Sequence, residues 1–117
     1  MEDKSKTILL VEDDNYAREY LTRSIERKGH KVVGSATGYG AIDLYKENKP
    51  QCVLLDIKLP DINGIEVLKK LKEIDPQANV YFLSGSEEIV SVAHAKKLGA
   101  TGYLTKPIVL EDLMKLI

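Results

Sequence analysis

Five short apolar runs, none broken by alternating polar residues, constrain this chain more than any other feature. They are Ile8-Leu9-Leu10-Val11, Val32-Val33, Cys52-Val53-Leu54-Leu55, Val80-Tyr81-Phe82-Leu83 and Tyr103-Leu104. A strand with one wet face alternates apolar and polar residues, so unbroken runs belong to strands covered on both faces. Each of the first four runs precedes a segment long enough for a helix. That alternation predicts an α/β fold with one five-stranded parallel sheet and helices on both faces. The 117 residues suit a single domain, 1–117, large enough to fold without a metal or disulfide.

The helical segments carry their own punctuation. Over 15–28 the residues Ala17, Tyr20, Leu21 and Ile25 form one apolar stripe, and Gly29 supplies a stop. A weaker helix over 39–48 places Ala41, Ile42 and Tyr45 together, with Pro50 beyond its end. From Gly64, Asn63 and Glu66 have the spacing of a capping box, and Val67, Leu68, Leu71 and Ile74 form the face to be buried before Pro76. Ser86 is the expected cap of a fourth helix, with Glu87 and Glu88 in its first turn and Gly99 after its last. Its apolar residues Ile89, Val90, Val92, Ala93 and Ala95 spread around the axis. The final stripe, Leu110, Leu113, Met114 and Ile117, lasts only two turns and needs docking to persist, so the chain reads as a piece that a longer protein could supply.

A net charge of -1, with 30 % charged and 44 % hydrophobic residues, excludes any general attraction to nucleic acid or anionic membrane. No apolar stretch reaches the ~18 residues of a membrane span, and a cytoplasmic location is expected. The lone cysteine, Cys52, heads an apolar run and reads as a small buried hydrophobe.

Chemistry gathers where the runs end. In an open parallel sheet, ligands bind in the crevice outside the carboxyl ends of the strands. Asp56 stands at such an end, before the turn residues Pro60, Asp61, Asn63 and Gly64. Glu12-Asp13-Asp14 ends the first run, and in the flavodoxin-like order 2-1-3-4-5 the first and third strands adjoin there. Two like charges about 4 Å apart repel by ~1 kcal/mol in water and ~4 kcal/mol near a protein surface, so such a cluster calls for a proton or a cation. Oxygen-only donors suit magnesium (Mg2+). Ser84 and Lys106 end the fourth and fifth runs. A carboxylate nucleophile, a divalent cation, an ammonium and a hydroxyl are the equipment of phosphoryl transfer. Taken singly, the acids read as helix caps (Asp14 or Asn15 can do that job), Ser84 as a turn residue and Lys106 as a surface lysine. The coincidence of four strand ends outweighs those readings.

At these residues the chain resembles the receiver domain of two-component response regulators over nearly its whole length. The resemblance rests on Glu12-Asp13, on Asp56-Ile57-Lys58-Leu59-Pro60 with Gly64, on Ser84-Gly85, and on Gly99 to Pro107. It implies a phosphorylation-dependent signalling switch and no turnover enzyme. Asp56 would accept a phosphoryl group from a phosphohistidine of a sensor histidine kinase or histidine phosphotransfer protein. It further implies that Asp13, Asp56 and the Lys58 backbone carbonyl ligate Mg2+ directly and Glu12 through water. Ser84 and Tyr103 would be the switch residues, acting on the face of the fourth helix, fifth strand and fifth helix, where an output domain or target binds. The Lys106-Pro107 bond is expected to be cis.

Three departures bear on that inheritance. Lys58 stands where many receivers carry Met or Asn, and its ammonium could reach the cleft and affect the attacking water. Gly102 and Ile108 replace an acidic residue and a Phe of one transcription-factor branch, which weakens the case for that branch's dimer. The last helix is shorter than usual. Two other functions remain open on the residues alone. A haloacid-dehalogenase-type phosphatase would carry a second acid where Lys58 stands, and a flavodoxin-like flavin module would need a Ser/Thr/Gly phosphate loop in place of Glu12-Asp13-Asp14.

Overall fold

The computed structural model describes residues 5–85 and 92–117. Strands and helices alternate: β1 (Thr7–Val11), α1 (Asn15–Arg27), β2 (Lys31–Ser35), α2 (Gly38–Asn48), β3 (Cys52–Asp56), α3 (Gly64–Ile74), β4 (Val80–Ser84), α4 (Val92–Lys97), β5 (Gly102–Thr105) and α5 (Leu110–Leu116). The sheet is parallel throughout, in the order β2-β1-β3-β4-β5, as expected. That order makes β1 and β3 neighbours, with Val11 beside Leu55. The residues that follow these two strands therefore emerge side by side.

Unbroken apolar runs arise because successive side chains enter different cores. Leu9, Val11, Val53, Leu55, Val80 and Phe82 meet Ala41, Ile42 and Tyr45 of α2 and Val67, Leu68 and Leu71 of α3. Ile8, Leu10, Cys52, Leu54 and Leu83 meet Leu21 and Ile25 of α1 and Leu113 of α5. Each fully buried leucine contributes roughly 1.5–3 kcal/mol, so Leu54→Ala or Leu55→Ala alone would remove a large share of a domain's net stability. Cys52 is buried as expected, and burial pushes its thiol up to about 11. The short α5 is docked: Leu110, Met114 and Ile117 pack on the second core, and Lys28 Nζ donates to the Met114 carbonyl at 3.2 Å.

Several local expectations need correction. Tyr20 is 57 % exposed, and Ser24 joins Leu21 and Ile25 on the inward stripe of α1. Ile74, the last residue of α3, is 41 % exposed. Asn63 does cap α3, but its Oδ1 accepts from Ile65 N and Glu66 pairs with Lys69, so the reciprocal capping box does not form. Gly29 and Gly99 take φ of +99° as the helix stops they were expected to be. α2 ends without a glycine, on Lys49 at φ 46°. The expected cap Ser86, with Glu87, Glu88, Ile89 and Val90, lies outside the described residues. Among the described residues no helix is long and apolar enough to cross a membrane.

Candidate phosphoryl-transfer site

Because β1 and β3 adjoin, Glu12 and Asp56 enter one crevice at the carboxyl edge of the sheet, each only 3 % exposed. Asp13 lies beside them in an exposed position, and one carboxylate oxygen from each of the three lies within 4.8 Å of the others. Asp14 caps α1, its Oδ1 accepting from Tyr16 N at 3.2 Å. Arg18 braces the same loop, donating to the Glu12 carbonyl at 2.7 Å and to Asn15 Oδ1 at 2.6 Å. Nothing in the residue pattern around Arg18 marks that role.

Lys106 reaches the acids from the end of β5. Its Nζ lies 3.0 Å from Asp56 Oδ2 and 3.2 Å from Glu12 Oε2. The Lys106-Pro107 peptide is cis, as expected. One ammonium does not neutralise two buried carboxylates. Burial first, and then the hydrogen bond and charge of Asp56, push the Glu12 carboxyl up to about 7 against the pull of Lys106. For Lys106, burial lowers the pKa, but Asp56 and Glu12 outweigh it and the net shift is upward. Asp56 Oδ1 is buried and, among the described residues, has no hydrogen-bond partner. A buried carboxylate oxygen left in this way costs ~1–3 kcal/mol or more, so it is a natural place for an incoming ligand.

The donors fit a hard divalent cation. Three carboxylates converge, and the Lys58 carbonyl accepts no hydrogen bond among the described residues. The Lys58 side chain is exposed and, among the described residues, forms no ion pair with the acids. Ser84 is buried at the end of β4, and its hydroxyl donates to the Gly85 carbonyl at 3.2 Å, not to the carboxylates. Tyr103 is half-buried on β5 against the α2/α3 core. Glu12, Asp13, Asp56 and Lys106 are thus brought together, with Ser84 at the adjoining strand end and the Lys58 and Tyr103 side chains making no ion pair with the acids among the described residues.

The model of the response regulator receiver domain family matches residues 8–117. The chain belongs to the receiver domains. This receiver domain is 38 % identical over 103 residues to the chemotaxis protein CheY of Thermotoga maritima, covering 87 % of the chain and 86 % of that protein. It is 31 % identical over 109 residues to sporulation initiation phosphotransferase F of Bacillus subtilis, covering 93 % and 88 %. The crystal structure of a CheY-like receiver domain protein from Methanospirillum hungatei superposes with a TM-score of 0.89 at 27 % identity, over 97 % of this chain and 90 % of that one. Receiver domains are signalling switches that interact with histidine kinases or phosphotransfer proteins, and no enzyme family is indicated for this one.

Proposed function

We propose that Asp56 accepts a phosphoryl group from a phosphohistidine of a sensor histidine kinase or phosphotransfer protein. The observation that carries this is the asymmetry of its carboxylate: Lys106 holds Oδ2 at 3.0 Å, while Oδ1 is buried without a partner among the described residues. Oδ1 forms the new bond to phosphorus as the phosphorus–nitrogen bond breaks, and the bonding pair returns to the imidazole. Asp13, Asp56 and the Lys58 carbonyl would hold Mg2+, with Glu12 acting through water. The ion supplies neutralisation of charge on the phosphoryl oxygens.

Lys106 shifts from its place between Glu12 and Asp56 toward a phosphoryl oxygen as charge arrives. Ser84 exchanges the Gly85 carbonyl for that same group, drawing β4 toward the site. Tyr103 and the groove of about 580 Å3 it lines with Leu104, Val109 and Asp112 then form the surface that an output domain or target reads. The donor has room beside the cluster, where Tyr20, Ala17, Lys106, Pro107 and Ile108 line a cleft of about 300 Å3. The domain would then be a cytoplasmic switch in which the acceptor is loaded and slowly cleared.

Incubation with Mg2+ and a small phosphodonor should add one phosphate by intact mass. Asp56→Ala should add none. Equal labelling of that variant would remove Asp56 as the acceptor, and rapid multiple-turnover release of phosphate would replace the switch with an enzyme.

A further inference from the structure

We propose that Asp61 is a positioning residue for this site. It clasps the β3–α3 loop to the start of α2 and thereby holds the Lys58 carbonyl in place. Asp61 Oδ1 accepts from Gly38 N at 2.8 Å and Oδ2 from Tyr39 N at 2.9 Å. These are two of the N–H groups that the start of a helix leaves without partners, at the positive end of the helix dipole. Thr37 Oγ1 takes a third, from Gly40 N at 3.1 Å. α2 is therefore capped from two sides, once by its own preceding residue and once by a carboxylate from another loop.

The clasp continues into the acidic loop. Ser35 O accepts from Glu12 N at 3.0 Å, and Ser35 Oγ donates to Thr37 O at 2.7 Å while accepting from Thr37 N at 3.2 Å. Hydrogen bonds therefore run from Glu12 through Ser35 and Thr37 to the start of α2, and from there to Asp61. There is no slack at the crossing. A Cβ on Gly38 would come within 2.6 Å of Ile62 Cγ1 and 2.8 Å of Val67 Cγ2. Asp61 itself is exposed, so its bonds from Gly38 N and Tyr39 N, not burial, are what tie it down. What it does fix is the path of the loop that carries Lys58.

This inference rests on the reading of the acidic cluster as a Mg2+ and phosphoryl site, and the test separates the two. Mg2+ is titrated calorimetrically into wild type, Asp61→Ala, Asp61→Asn and Thr37→Ala, and amide exchange is followed across 57–63. Asp61→Ala should bind Mg2+ about tenfold more weakly, in the range seen when groups that orient metal ligands are lost. Asp61→Asn, which keeps one acceptor, should fall between. Thr37→Ala removes the Oγ1 cap of Gly40 N but keeps the backbone bonds of Thr37 to Ser35 Oγ and Ala41 N that carry the clasp, so it lowers the melting temperature and should bind Mg2+ as wild type does. Faster exchange across 57–63 should appear in the Asp61 variants alone. Binding by Asp61→Ala within about twofold of wild type, or an equal loss in Thr37→Ala, overturns the positioning role. If wild type itself takes up no Mg2+ the site reading fails, and unchanged exchange in Asp61→Ala would then overturn the clasp as well.

Discussion

Replacing Gly64 by alanine tests how closely the acceptor's own backbone is packed. Gly64 opens α3, and its N–H donates to the Ile57 carbonyl at 2.7 Å. A Cβ there would run into the Asp56 carbonyl oxygen and lie 2.8 Å from Ile57 Cα. Carbon atoms prefer about 3.5–4.0 Å, so the backbone beside Asp56 must retreat by roughly 0.7 Å or more. Overpacking of this kind costs ~1–3 kcal/mol, and alanine's better helix propensity offsets at most ~1 kcal/mol. A net loss of about 1–2 kcal/mol lowers the melting temperature by about 4–8 °C in a domain of this size. The displaced acceptor should load from a small phosphodonor about ten- to a hundredfold more slowly. Gly29→Ala is the matched control. It has open space around its Cβ but a φ of +99°, so it costs a similar ~1–2 kcal/mol of backbone strain at the other end of the sheet. Calorimetry and intact-mass kinetics on both variants decide the matter. Unchanged loading in Gly64→Ala, or equal slowing in Gly29→Ala, would refute the steric account.

Two further outcomes follow from single side chains. His30 is buried, accepts the Lys6 N–H at Nδ1 (3.0 Å), and has no partner at Nε2 among the described residues. Burial, then the charges of Lys6 and Lys28, lower its pKa below 6.5. Its folded form resists protonation, so its contribution is complete above 6.5 and is lost as pH falls through the lowered value. The gap in urea midpoint between wild type and His30→Gln should therefore narrow from pH 7.5 to 5.5, and a constant gap would contradict the assignment. For Lys58, an exposed ammonium two residues from the acceptor is available to cover a bound phosphoryl group. Lys58→Met should shorten the aspartyl phosphate lifetime by about fivefold if that contact is worth ~1 kcal/mol, and an unchanged decay rate would leave Lys58 as a solvated lysine.

The sheet was readable in the residues because burial on both faces leaves an unmistakable mark, as in Cys52 to Leu55. The acidic cluster was readable for a related reason: the ends of those runs must lie at one edge. Tyr20 and Ile74 were misplaced because periodicity locates a stripe but not its margins. Asp61 read only as a turn residue because its partners, Gly38 and Tyr39, are 23 and 22 residues away and contribute only backbone. Lys49 carried no signal at all, since lysine is not a residue that announces a left-handed stop. Packing and the clasp across loops, unlike periodicity, are properties of the assembled chain.

Cys52 has a practical consequence. It is the sole cysteine, 2 % exposed, on the central strand and at the end opposite Asp56, with a thiol held near 11. Maleimide and disulfide reagents attack thiolates, and this one is neither ionised at neutral pH nor accessible. A cysteine introduced at the exposed Tyr39 or Val109 would be the single labelling point in an otherwise natural background. A dye placed there, or a spin-label pair with both positions substituted, would report changes at the helix faces before and after loading, with no need to remove a residue from the core.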